Sequence, residues 1–421
     1  RSWLDNLKLR FSVGALGNGN VDPYKFLPTM SIDKTGVIVG DGQVNYTSYP
    51  GLIPNNLTWE KVTTYDVGVD VDMFKNRLTI GFDWYRRNTT DMYTVGPTLP
   101  EVLGTTQPKG NYANLKTKGW ELILSWRDNF KLAGSDFHYG VKFMLWDSQS
   151  WITKYNNATG KLSDYYEGYR IGDIWGYNIE GLFTSYDEIA NHADQDYIKI
   201  SDSKIWQPGD LKFADLNGDG KIDKGAQTLS DHGDLVIVGN EEERYHYGFN
   251  LNVGWKGIGI SAFFQGVGKR DWYPGQETGF FWGKYNRPYG YSLKMHENRW
   301  TEENPNPNAY WPRLVGYSSE NGGRPMGTPN NRYMQDASYL RLKALTVDYS
   351  LPQAWVSKLG LTGLKIYFTG ENLFTFSNIC ENFDPEVIKG GDVDLKDRKG
   401  EEQGYSYPML KTYTVGLNVS F

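Results

Sequence analysis

Apolar and polar residues alternate along much of this chain with the period of a β-strand, in which successive side chains point to opposite faces. Leu7, Leu9, Phe11 and Val13 open the series. Tyr65, Val67, Val69 and Val71 lead through Lys75-Asn76-Arg77 into Leu78, Ile80, Phe82 and Trp84. Trp120, Leu122, Leu124 and Trp126 pass through a short polar turn near Asn129 to Phe137, Tyr139, Val141, Phe143 and Leu145. Tyr245, Tyr247, Phe249, Leu251, Val253 and Trp255 turn at Lys256-Gly257 into Ile258, Ile260, Ala262 and Phe264. Leu345, Val347 and Tyr349 turn around Pro352 towards Leu364, Ile366 and Phe368. The last segment, 411–421, sets Tyr413, Val415, Leu417, Val419 and Phe421 on one face, with Thr412, Thr414, Gly416, Asn418 and Ser420 on the other. Each is about long enough to cross a bilayer when tilted.

The alternation suits two architectures, a soluble sandwich or a transmembrane antiparallel β-barrel whose apolar side chains face lipid. The connections separate them. Turns near Asn76, Asn129, Gly257 and Leu359 are short, whereas those around 18–62, 147–243, 266–338 and 374–409 are long and rich in Gly, Pro, Asn and Tyr. Short turns on one side and long loops on the other is the layout of an outer-membrane barrel, with the long loops outside. Phe421 then reads as a terminal aromatic anchor that guides barrel assembly. Strand parity holds only if 156–243 adds no strand or two, so the strand-like stretch 170–181 has a partner or lies in an extracellular excursion. About ten to twelve strands result. Short helices are expected at 185–191, 293–302 and 352–359.

Composition sharpens this picture. The 421 residues carry a net charge of −6, which argues against a nucleic-acid partner and against a basic membrane-surface patch. Cys380 is single and cannot form an internal disulfide. No run of about 18 apolar residues is present, so no transmembrane helix is expected, although barrel strands would pass that test unseen. Tyr (30), Phe (19) and Trp (15) make up 15% of the chain and suit interfacial girdles or surfaces that stack on sugars. Arg1-Ser-Trp-Leu begins almost directly on a strand with no signal peptide, and the chain reads as a portion of a longer protein.

Two motifs could carry chemistry. Asp215, Asn217, Asp219, Lys221 (through its carbonyl) and Asp223 stand at positions one, three, five, seven and nine of a calcium loop, with Gly220 at six. Ala226 replaces the bidentate acid at position twelve, and Asp231 or Asp234 could substitute. Bound Ca2+ would be structural; an Asx-bonded turn produces the same sequence. The second motif is the aromatic loop 271–289. Its Trp272, Tyr273, Phe280, Phe281, Trp282 and Tyr285 either contact a substrate or partner or pack a folded loop domain. His138, His192, His232, His246 and His296 show no metal spacing, His246 reads as lumen-facing, and no catalytic constellation emerges. An enzyme is not expected.

An ordered set of short motifs resembles the C-terminal half of the SusC/RagA family of TonB-dependent outer-membrane transporters, nearly end to end. The set runs from Leu7-Lys-Leu-Arg-Phe through Leu57-Thr-Trp-Glu60, Asp66-Val-Gly-Val-Asp-Val-Asp72, Gly81-Phe-Asp-Trp-Tyr-Arg86 and Gly119-Trp-Glu-Leu122. It continues with Pro208-Gly-Asp-Leu-Lys212, Phe263-Phe-Gln-Gly266, Tyr339-Leu-Arg-Leu-Lys343, Gly370-Glu-Asn-Leu-Phe374, Asp384-Pro-Glu386 and Tyr407-Pro408. The resemblance implies a plugged barrel of about 22 strands, of which 1–421 would supply about half, with the plug and remaining strands outside this chain. It implies TonB-energised import of a bulky nutrient, commonly an oligosaccharide and sometimes a peptide, with a SusD-like surface lipoprotein over the long loops. Alternatives are a siderophore or cobalamin receptor, a passive porin, or a secreted, calcium-stabilised carbohydrate-binding all-β protein.

Overall fold

The computed structural model describes residues 3–19, 24, 27–53, 57–105, 107–198, 206–275, 278–285, 290–314, 326–388 and 406–421. Ten strands form one antiparallel sheet in simple chain order. They are β1 (Leu4–Asn18), β2 (Glu60–Met73), β3 (Leu78–Val95), β4 (Lys109–Leu132) and β5 (Ser135–Lys154). β6 (Arg244–Trp255), β7 (Ile258–Lys269), β8 (Tyr339–Ser350), β9 (Gly363–Ser377) and β10 (Thr412–Ser420) complete it. Every alternating segment of the sequence lies in one of these strands.

One face of the sheet is apolar from strand to strand. Leu7, Val71, Ile80, Leu124, Phe143, Phe249 and Phe264 stand directly opposite one another across β1 to β7. The other face carries the row Arg10, Gly68, Asp83, Glu121, Trp146 and His246 over β1 to β6. The apolar face is bare: Leu9 is 78% exposed and Phe11 73%. Lipid would cover such a face at no cost, whereas water would not. Below it, Phe74, Trp126, Phe130, Phe137 and Tyr139 cluster, with the Trp126 indole donating to the Tyr139 hydroxyl at 2.9 Å. Above it stand Tyr65, Trp84 and Trp120. From Trp120 to Phe130 the strand covers about 33 Å, or about 25 Å of membrane once tilted, the height of a barrel's apolar band.

The connections sort by length without exception. Short turns at 74–77, 133–134, 256–257 and 351–362 lie on one side; connections 19–59, 96–108, 155–243, 270–338 and 378–411 lie on the other. Ala133-Gly134 and Lys256-Gly257 both hold positive φ (48° and 77°, 49° and 81°), as two-residue hairpin turns require. The turn expected near Asn129 therefore comes four residues later, because Asn129 to Leu132 stay paired with His138 to Ser135. The 96–108 connection was not among the long loops read from the sequence. Parity follows from 155–243, whose described residues add no strand to the sheet. Asp173–Gly176 instead pairs with Val236–Asn240, and Ile179–Leu182 with Leu211–Phe213, inside the excursion.

Helix is sparse, as expected. Ser185 caps Tyr186–Ala190 by accepting from the Glu188 N–H, and Gln353–Val356 continues into a 3-10 turn at Ser357–Leu359. The helix expected over 293–302 is only a 3-10 turn, Lys294–Glu297. It stops there because Trp300 and Trp311 exchange strand-like hydrogen bonds with the backbone beside them.

The main hydrophobic core lies outside the sheet. Tyr177, Phe213 and Ile222 from 155–243 pack with Trp282, Trp311 and Tyr333 from 270–338, and with Ile379, Phe383 and Ile388 from the last long connection. Three loops thus build one folded body on one rim of the sheet.

Candidate functional site

The site is this body and its seat on the barrel rim. Burial of its rings decides the role of the aromatic loop. Phe281, Trp282 and Tyr285 are fully enclosed and Trp272 nearly so. Trp282 lies 5.4 Å from the Tyr333 ring, Tyr333 stacks on Trp311 at 5.2 Å, and Trp311 stacks on Tyr285 at 5.1 Å. Three of the polar ends are satisfied by backbone: the Trp282 indole donates to the Gly275 carbonyl at 2.8 Å, Tyr285 to the Pro312 carbonyl at 2.7 Å, and Tyr273 to the Met326 carbonyl at 2.6 Å, whereas the buried Trp272 indole N–H finds no partner among the described residues. The expectation of direct substrate or partner contact is therefore corrected for Trp272, Phe281, Trp282 and Tyr285. Each ring buries a large apolar surface, and that burial packs the connection around its one short ladder, Asp271–Trp272 against Gln335–Asp336. Tyr273 is half-buried against Trp282. Phe280, 40% exposed beside Tyr291, is the member of the six that faces outward.

The acidic loop is braced by its own carboxylates. Gly218 and Gly220 donate their N–H groups to the two oxygens of Asp215 at 2.7 and 2.9 Å. The Asp219 N–H donates to Asn217 and the Lys221 N–H to Asp219, both at 2.9 Å, and Gly225 donates to Asp223 at 2.6 Å. Asp234, buried, accepts from the Leu216 and Asp223 N–H groups at 2.7 and 2.9 Å. Ile222 is fully buried and pins the loop to the core. Among the described residues no group of three or more His, Cys, Asp or Glu side chains converges as a metal's ligands would.

The rim holds what sequence reasoning missed. Arg341 on β8 meets Asp384 at 2.6 Å and also Glu386, which Lys343 contacts at 2.8 Å. Two motifs quoted separately above, Tyr339-Leu-Arg-Leu-Lys343 and Asp384-Pro-Glu386, are thus two halves of one ion-pair cluster. Arg270 reaches Glu243 at 2.9 Å and the Pro385 carbonyl at 3.2 Å, and Arg244 forks onto Asp147. The Arg341 and Lys343 pairs fasten the last long connection to the sheet, Arg270 ties the long connections to one another at the rim, and Arg244–Asp147 joins β6 to β5. On the inward face, Trp146 stacks on His246, 5.2 Å between centroids and 4° between planes, so His246 faces the lumen as read from its strand. The arrangement offers surfaces for binding on a folded body of loops.

Known proteins share both sequence and fold. The chain is 29% identical over 429 residues to "TonB-dependent receptor P3" of Formosa agariphila, covering 98% of this chain and 39% of that protein. It is 25% identical over 432 residues to "TonB-dependent receptor SusC" of Bacteroides thetaiotaomicron, covering 99% and 38%. The solved RagAB peptide transporter superposes with a TM-score of 0.71 at 22% identity, covering 100% of this chain and 41% of the other. The chain spans about two fifths of the length of these relatives. No protein-family model matches it. Along nearly its whole length the chain is thus similar to part of the TonB-dependent receptors, SusC among them, and it shares the fold of the corresponding part of the RagAB transporter.

Proposed function

We propose that the chain is the C-terminal part of an importer that takes up a bulky nutrient, an oligosaccharide or other glycan, with a SusD-like lipoprotein over its loops and TonB supplying the energy. The observation that carries this reading is the folded loop body seated on one rim of the membrane-facing sheet. A passive pore needs no such body, and a secreted carbohydrate-binding sandwich would cover its apolar sheet face with a second sheet. TonB would act through the part of the relatives' length that this chain does not span. The loop body, with Phe280 at its surface, would meet the substrate or lipoprotein. No step needs covalent chemistry. A peptide cargo is the second reading, favoured by the fold shared with RagAB, a peptide transporter. Deletion of the full-length gene, with growth on defined glycans and on peptides as sole nutrient, tests both. Loss of growth on glycans supports the first, loss on peptides the second, and unchanged growth on every nutrient sinks import.

A separate proposal concerns the acidic loop. Ca2+ would be held by Asp215, Asn217, Asp219 and Asp223 with the Lys221 carbonyl, and would supply rigidity alone. Its support is the spacing of oxygen ligands; the loop already closes through its own hydrogen bonds, so the gain in melting temperature is small. Identical melting of wild type and Asp219→Ala, with calcium and with chelator, would remove the proposal.

A further inference from the structure

The net charge of −6 argued against a basic surface at the membrane, but net charge averages over the molecule, and the sheet register collects cations locally. On the outward face, the apolar band ends at Trp84 on β3 and Trp120 on β4. The next outward positions are Arg86 and Lys118, which stand directly opposite each other, and the one beyond on β4 is Lys116. Lys61 on β2 shares this face, four residues beyond Tyr65. Among the described residues none of the four forms an ion pair. The nearest outward acid on β5, Asp147, is occupied by Arg244.

The same place holds a shallow cavity of about 320 Å³, lined by Lys116, Lys118, Trp151, Ile152 and Glu167 among others. The Lys116 ammonium lies 5.6 Å from the Trp151 ring centroid. An unpaired cation row directly above an aromatic girdle sits at headgroup depth, because Trp and Tyr occupy the boundary between hydrocarbon and headgroups. Arg86 also donates to the Asn88 side chain at 3.1 Å, but no carboxylate among the described residues neutralises the row, and cations at that depth meet phosphate, the anion that both ammonium and guanidinium groups bind through charge-assisted hydrogen bonds.

We propose that Arg86, Lys116, Lys118 and Lys61 form a binding band for the phosphorylated headgroup of a membrane lipid in the leaflet that faces the long loops. The indole of Trp151 forms the apolar wall of the same cavity. The inference needs the sheet's place in the membrane and is independent of what the protein imports.

The test uses the full-length protein in phosphatidylcholine nanodiscs containing a minor fraction of phosphatidylglycerol, with retained lipid counted by native mass spectrometry after transfer to detergent. Wild type retains phosphatidylglycerol; the double variant Arg86→Gln/Lys118→Gln loses about fivefold for each cation removed. A charge-preserving variant, Arg86→Lys/Lys118→Arg, keeps retention and shows that the neutral variant's loss is electrostatic and not a folding defect. Equal retention by wild type and the neutral variant overturns the proposal. So does displacement of the lipid by inorganic phosphate at matched concentration, which would identify a free-anion site. Nutrient uptake by the neutral variant stays at the wild-type level, so failure here is distinguishable from failure of the import reading.

Discussion

Arg10 reaches across an intervening strand to Asp83. Its guanidinium donates to Asp83 at 2.8 Å and to Asp70 at 2.9 Å, joining β1, β2 and β3 on the inward face. The crossing is possible because Gly68 lies between them: a Cβ there would come within 2.2 Å of an Asp83 oxygen and 2.7 Å of the Arg10 guanidinium carbon. Gly68→Val should therefore separate the pair and lower the temperature at which the folded barrel loses its compact electrophoretic mobility by a few degrees. A variant as heat-resistant as wild type would show that the bridge adds nothing.

Arg341 is nearly inaccessible, and its partner Asp384 comes from the connection between β9 and β10. Asp384→Ala would leave a buried guanidinium short of a partner, a loss of about 3–5 kcal/mol for a buried pair. The expected outcome is rapid proteolysis near residue 384 with the sheet intact. Cleavage rates equal to wild type would locate the attachment elsewhere.

Trp282 and Phe280 are close in sequence and opposite in role. Trp282→Ala removes a ring from the centre of the loop body and should cost about 3–5 kcal/mol there, weakening substrate capture by unfolding the body. Phe280→Ala leaves the fold unchanged and weakens capture only if that exposed ring touches cargo or partner. Far-ultraviolet and near-ultraviolet circular dichroism beside a binding assay tells the two apart. Native near-ultraviolet signal in Trp282→Ala would refute the core assignment.

His296 is buried with both ring nitrogens engaged: the Leu293 N–H donates to Nδ1 at 2.9 Å, and Nε2 donates to the Phe281 carbonyl at 2.7 Å. Only the neutral ring satisfies both contacts, and burial holds its pKa below the ordinary 6.5. The folded state resists protonation, so stability is complete above about pH 6.5 and falls as pH drops through that value. Tryptophan fluorescence of the loop body should register this loosening. A second loss, between pH 4.5 and 2, belongs to Glu188, which the Thr184 N–H and then the Lys212 ammonium lower to about 2. A flat stability profile from pH 8 to 5 would contradict the role of His296.

Phe421 is 91% exposed at the end of β10, where the Thr362 hydroxyl donates to its carbonyl at 3.1 Å. It contributes nothing to the internal packing, so any effect of Phe421→Ala appears in assembly. Reduced membrane levels with normal stability of the molecules that do insert are expected. Normal levels would count against the anchor.

Period-two alternation was enough to locate all ten sheet strands, because the two faces of each strand meet different media and every residue must suit one of them. The sorting of short and long connections was legible for the same reason: it depends on chain length between alternating segments and on nothing distant. Turn positions were less so, as Asn129 shows. Pairing with His138 outweighed the turn propensity of an Asn-containing polar stretch, and the chain reversed where Ala133 and Gly134 could both take positive φ.

What the linear order could not reveal was the fate of residues brought together from afar. The ring of Trp282 looked available in a polar, glycine-rich loop, yet it is enclosed by Trp311 and Tyr333 from later in the same connection. The acids of 384–386 read as an isolated motif until β8 placed Arg341 against them. Net charge hid the cationic row for a related reason, since Arg86 and Lys118 become neighbours only when β3 and β4 pair. Local alternation is a property of the chain and can be read along it. Burial of a loop ring, the partner of a charge and the sign of a surface patch depend on contacts between distant segments, and folding alone creates them.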